Sequence, residues 1–226
     1  ALQVHAATSP AMNVALPTDP NRYVLPPSGA MSEKTIERPL HYHPDGMDFV
    51  VTNGAEFFNR PLYGAMGNFR ADAGDRPEFT FYLPGRGGNL RLGLRVGEKV
   101  KWLHAADKVV ARYRPGSMIY EVRDPLLGLS TLRVTAIPLT DAEGLIVRAE
   151  LDGPGAKNVT LIAAYGGASG EKGKSNADIG CMPVPVGEWF QLKPKHCEGG
   201  EFTITGSSFL LKSKPGTMGG FFSSGT

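Results

Sequence analysis

The sequence predicts an all-β fold, an antiparallel β-sandwich, on three grounds. Apolar and polar side chains alternate in run after run from residue 40 onward, the period of strands with one buried face. Gly 29 and Pro 18 together make about a fifth of the 226 residues without any repeat, which suits short strands joined by tight turns. No stretch carries a helical apolar stripe beyond two turns.

Taken in order, residues 1–6 (ALQVHA) read as the tail of a secretory signal peptide, with Val4 and Ala6 at the small-residue positions before a cut. Residues 7–38 hold five prolines and no sustained period, an extended lead-in with at most one helical turn near Ser32 to Arg38. Residues 39–226 form the expected β-sandwich domain. Within it, Glu78 to Leu83 puts Phe79, Phe81 and Leu83 on one face. Asn89 to Val96 sets Leu90, Leu92, Leu94 and Val96 against Arg91, Gly93 and Arg95. Pro84 to Gly88 between them reads as a hairpin connection whose glycines can supply positive φ.

The same habit recurs at 108–114, 117–123, 131–137, 145–151, 158–165, 201–205 and 208–212. RPGS, DAEG and DGPGAKN punctuate these runs as turns. One apolar face per strand implies antiparallel sheets with one wet side. The last residues, KPGTMGGFFSSGT, read as ending without a closing element, so the chain is expected to be the N-terminal portion of something longer.

Composition narrows the function. Lys+Arg 24 against Asp+Glu 22 gives +2, and no basic cluster stands out, so no nucleic-acid partner is expected. No run reaches the ~18 apolar residues of a membrane span. Together with the signal-like start, this points to export, periplasmic or extracellular. In that compartment Cys181 and Cys197 are candidates for a disulfide, closing a loop of about 15 residues for roughly 3 kcal/mol. Without export both are plain buried thiols.

Four constellations carry candidate chemistry. ASGEKGKS at 168–175 fits a relaxed phosphate-binding loop after a strand, but such a loop needs a helix next. Gly180, Pro183 and Pro185 interrupt any helix there, so a solvated polar loop is expected and no nucleotide. His41 and His43 share a strand face near Asp45, with His104 or His196 available, yet no pattern demands a metal and none is expected. Asp72, Asp75 and Glu78 could supply a glycosidase carboxylate pair, but DAGDRPEF reads first as turn chemistry with Asp75 bonding local backbone. Asn176, Asp178 and Trp189 lie in the long irregular segment 166–200 and are the carbohydrate-binding candidates, amide and acid for hydroxyls and indole for a sugar ring. The alternative is that Trp189 and Phe190 pack beneath the loop as its anchor.

Asn53 to Gly64 (NGAEFFNRPLYG), Asp72 to Gly93 (DAGDRPEFTFYLPGRGGNLRLG) and Phe190 to Cys197 followed by Phe202 resemble the domain of unknown function numbered 4450. That domain occurs in exported bacterial proteins associated with polysaccharide use, and the resemblance spans roughly residues 45 to 212. It implies a sandwich of galactose-mutarotase-like or supersandwich type ahead of a six-hairpin (α/α)6 glycosidase-like barrel. It also implies that acid and base lie on the barrel, so no catalytic residue is expected in this chain. The expected role is to dock the barrel and shape one wall of its site. A stand-alone carbohydrate-binding module and a purely structural exported domain are the rivals.

Overall fold

The computed structural model describes residues 42–54, 60–62, 64, 69–83, 86–154, 158–167, 192–213 and 216–223; Arg60, Tyr82, Leu83, Arg86 and Gly87 are described by backbone alone. The signal remnant, the lead-in and the 168–175 loop therefore lie outside the described residues. Those described belong to one compact unit, Leu40–Thr226, and form three antiparallel sheets with only three short 3-10 turns.

The first sheet runs in the order β1-β2-β8-β9-β10-β11. These strands are β1 (His43–Asp45), β2 (Asp48–Thr52), β8 (Lys108–Arg114), β9 (Ser117–Arg123), β10 (Thr131–Pro138) and β11 (Leu145–Asp152). The second runs β12-β6-β5-β4-β3, with β7 also pairing β6. Its members are β3 (Arg60–Pro61), β4 (Arg70–Ala73), β5 (Glu78–Leu83), β6 (Arg86–Val96), β7 (Lys99–Trp102) and β12 (Val159–Gly166). The third is a meander of β13 (Glu201–Thr205), β14 (Ser208–Ser213) and β15 (Gly216–Phe221).

The first two sheets share one core, to which β8, β9 and β10 contribute Val109, Met118, Tyr120 and Val134 and the second sheet Phe79, Leu92 and Leu94. Burying each such side chain contributes about 1.5–3 kcal/mol. Tyr120 joins the sheets twice. Its ring meets Phe79 edge-on at 6.0 Å and 77°, and its hydroxyl donates to the Gly74 carbonyl at 2.7 Å. This satisfies the phenol that burial would otherwise orphan.

The alternation places β5, most of β6 and β8 to β14, passes over β2, β3, β4 and β7, and misplaces two connections. Arg86 to Gly88, expected in the hairpin loop, continue the ladder opposite Leu83, Tyr82 and Phe81. Gly88 is tolerated in the strand because Tyr165 takes its space: a Cβ there would sit 2.0 Å from the phenol oxygen. Gly216 to Phe221, expected to trail off, pairs with β14 from Gly216 opposite Ser213 to Phe221 opposite Ser208. Its three glycines hide the strand in the sequence.

A third departure concerns the wet side. The face of β4, β5 and β6 away from the core carries Asp72, Glu78, Thr80 and Asn89, and all four are buried. The third sheet departs the other way, since every residue of β13 is exposed.

Candidate functional site

The polar face of the second sheet carries two carboxylates that are almost wholly buried, Asp72 and Glu78. Strand alternation puts Asp72, Thr80 and Asn89 in register across β4, β5 and β6, and Glu78 opposite Arg91 one step along. Arg70 Nε lies 2.8 Å from Asp72 Oδ1 and 3.0 Å from Oδ2. Arg91 forms an ion pair with Glu78, and Asn89 Nδ2 donates to the same Glu78 oxygen at 3.4 Å. A buried carboxylate costs several kcal/mol unless paired, and each of these two has an arginine.

His104 comes to this cluster from the 3-10 turn Leu103–Ala105 after β7. Burial lowers its pKa, and Arg91 and Arg76 lower it further against the pull of the Glu78 charge. The burial and the two arginines favour the neutral imidazole. Among the described residues, Thr80 Oγ1, Asn89 Oδ1 and His104 Nδ1 are buried without a hydrogen-bond partner. A hydroxyl, an amide oxygen and a neutral ring nitrogen are groups that bind sugar hydroxyls. Trp102 belongs to the same face: it pairs with Gly93, whose Cβ would lie 2.8 Å from the indole.

The neighbouring turn is structural. Asp75 accepts from the Tyr42 hydroxyl at 2.8 Å, a partner 33 residues earlier. Arg76 donates to the carbonyls of Gly54, His104 and Ala106 at 3.2, 2.9 and 3.0 Å. It clamps the end of β2 to the turn that carries His104. Gly54 has to be glycine, since a Cβ would reach 2.5 Å from that of Asp75. Asn53, at φ 51°, extends the β2–β8 pairing with its side chain: Oδ1 accepts from Val109 N at 2.8 Å and Nδ2 donates to Asp107 O at 3.2 Å.

Of the carbohydrate candidates, Asn176, Asp178 and Trp189 lie outside the described residues, as does Cys181. Cys197 is described: its Sγ accepts from Gly167 N at 3.3 Å, anchoring the end of β12. His41 is outside the described residues, and His43 is exposed in β1. Among the described residues no three His, Cys, Asp or Glu converge as a metal would need. None of the described helices is long and apolar enough to cross a membrane. A shallow depression of about 400 Å³ lies along β1 and β2, lined by His43, Asp45 and Thr52 among others, and Asp45 there joins an ion network with Arg112, Asp48, Arg114 and Glu121 on the first sheet.

The sequence singles out Asp72 and Glu78 as carboxylates and His104 only beside His41 and His43, and it does not mark Thr80, Asn89 or Arg91 as site residues. Their alternation marks a face opposite the core, but nothing in a period-two pattern says whether that face is covered.

These features define a class: an all-β antiparallel protein whose second sheet carries a polar ladder on the face away from its core. Within that class the chain belongs to the family described as Domain of unknown function (DUF4450), whose profile matches residues 83–220, more than half of the chain. The match takes in Asn89, Arg91 and His104 and the third sheet, and begins after Asp72 and Glu78. No curated protein and no solved structure matches the chain.

Proposed function

We propose that this chain is the exported β-sandwich domain of a glycoside hydrolase acting on a poly- or oligosaccharide, of galactose-mutarotase-like or supersandwich type. It docks an (α/α)6 catalytic barrel of the same polypeptide and shapes one wall of its substrate cleft. The observation that supports this most is the third sheet. Phe202, Phe209 and Phe222 form an aromatic row with centroid spacings of 5.9 and 6.0 Å, flanked by Ile204. Yet Phe202, Phe222 and Ile204 are 54%, 56% and 68% exposed. A contiguous apolar face of this kind marks a contact with another body. Export rests on the N-terminal residues, and Asn176, Asp178 and Trp189 are the groups proposed to reach the sugar.

A second reading, a stand-alone carbohydrate-binding module, is favoured by Trp102, Arg91, Asn89 and Thr80 sharing one face. Incubating the purified chain with a broad glycan panel separates the two. The docking reading predicts neither turnover nor calorimetric binding by the chain alone, and binding of a separately produced barrel that Phe202→Ser and Phe209→Ser weaken. Glycan turnover by this chain overturns the division of labour. Glycan binding lost on Trp102→Ala, without barrel binding, establishes the second reading instead.

A further inference from the structure

We propose that β11 is a self-association edge, through which a second copy of this chain extends the first sheet about a two-fold axis at Ala149. β11 ends that sheet, and its eight residues, LIVRAELD, contain neither proline nor glycine. Sheet edges are normally blunted by shortness, proline, bulges or cover. The opposite edge is blunted in this way, since β1 has three residues. β11 is not: every residue from Arg148 to Asp152 is exposed.

The exposed face is one that belongs inside. Leu132, Val134 and Ala136 of β10 are buried in the core, and opposite them on β11 stand Leu151, Ala149 and Val147. Directly opposed residues share a face, so these three point toward the core side. Leu151 is nonetheless 43% exposed, and so is 40% of Leu161 on β12, which ends the second sheet. Among the described residues, the core-side Ala149 and Leu151 of β11 are left exposed.

Charge selects the occupant and its register. On the outer face of β11, Arg148 and Glu150 pair with each other at 2.7 Å. In an antiparallel pair of two β11 strands, setting Ala149 opposite Ala149 of the second copy places Arg148 opposite the copy's Glu150, twice over. The same register sets Val147 against the copy's Leu151 on the core side. A slip that centres the pair on residue 148 puts Arg148 against Arg148, and one centred on residue 150 puts Glu150 against Glu150. Slips by an odd number turn the copy's apolar face to the wrong side. The register centred on residue 150 also sets Arg148 against Asp152, but only the one centred on Ala149 joins opposite charges and apolar partners with no like-charge pair, and a two-fold interface needs that self-complementarity.

Light scattering and sedimentation of the 226-residue chain over rising concentration test this. The expected mass is twice 24.2 kDa at high concentration. Arg148→Glu alone and Glu150→Arg alone each oppose like charges across the axis and raise the dissociation constant about tenfold or more. The double swap, Arg148→Glu with Glu150→Arg, restores opposite charges and the dimer. Both side chains are exposed, so far-UV circular dichroism stays at the parent value in every variant, and urea midpoints taken at concentrations where the chain is monomeric fall only slightly in variants carrying Glu150→Arg, whose new charge faces Arg133 on β10. A chain that stays monomeric, a dimer indifferent to either single reversal, or a double swap that fails to rescue would each overturn the assignment.

Discussion

The two-sheet core and the three-stranded meander use the same alternation and reach opposite ends. In β10 the pattern buries Leu132, Val134 and Ala136, because a second sheet lies over them. In β13 and β14 the pattern aligns Phe202, Ile204, Phe209 and Leu211, yet Phe202 and Ile204 stay exposed and Phe209 and Leu211 only half-buried. Alternation determines that a strand forms; a facing layer determines whether it contributes stability. The comparison separates a region that holds itself together from one that needs a partner.

The sharpest way to break that contrast is to truncate one phenylalanine in each region. Phe79→Ala removes a fully buried ring and its edge contact with Tyr120, and is expected to cost about 3–5 kcal/mol in urea unfolding. Phe209→Ala, on the open meander, is expected to cost less than about 1 kcal/mol. Equal losses would mean that the meander is covered in solution.

A second test lies in Arg76→Ala, which leaves the carbonyls of Gly54, His104 and Ala106 without their donor. Three charge-assisted bonds are shared there, and a loss of about 3 kcal/mol is expected, with faster hydrogen exchange around residues 103–106. A smaller loss is expected from Gly88→Ala, about 1–3 kcal/mol from overpacking against Tyr165. In a Tyr165→Ala background that penalty should largely disappear, and persistence would mean that the glycine matters for another reason.

The smallest effect is on pH. Burial raises the pKa of Asp124, but the Lys101 ammonium 2.6 Å away and the N–H groups of Leu126 and Asp107 outweigh it and hold it below 3.8. Asp48 is likewise lowered, first by its hydrogen bond from Arg114. Groups lowered in the folded state contribute stability above the unfolded value and lose it as pH falls through the folded one. Thermal midpoints should therefore drop below about pH 4. Lys101→Met should flatten part of that acid limb, and an unchanged limb would remove Asp124 from the account.

Much of this fold was legible because strand periodicity is local. β8, β9 and β13 begin and end where alternation and turn residues place them. β3, with two residues, and β15, rich in glycine, carry too little pattern to read, and the ladder partner alone makes them strands. The candidate site was less legible. Asp72 and Glu78 stand out as carboxylates, but their burial is a matter of layers, and Glu78 meets His104 through a turn whose carbonyl Arg76 holds from 28 residues away. Asp75 shows the limit most plainly, since the hydroxyl it accepts from lies 33 residues away.

The central claim is that two sheets share a core while the third presents its aromatic face outward. Native-state hydrogen exchange on the isolated chain, resolved by residue, tests it most directly. Amides of β8, β9 and β10 are expected to exchange only through global unfolding, while those of β13, β14 and β15 open far more readily. Protection of β13 to β15 equal to that of β8 to β10 would contradict it.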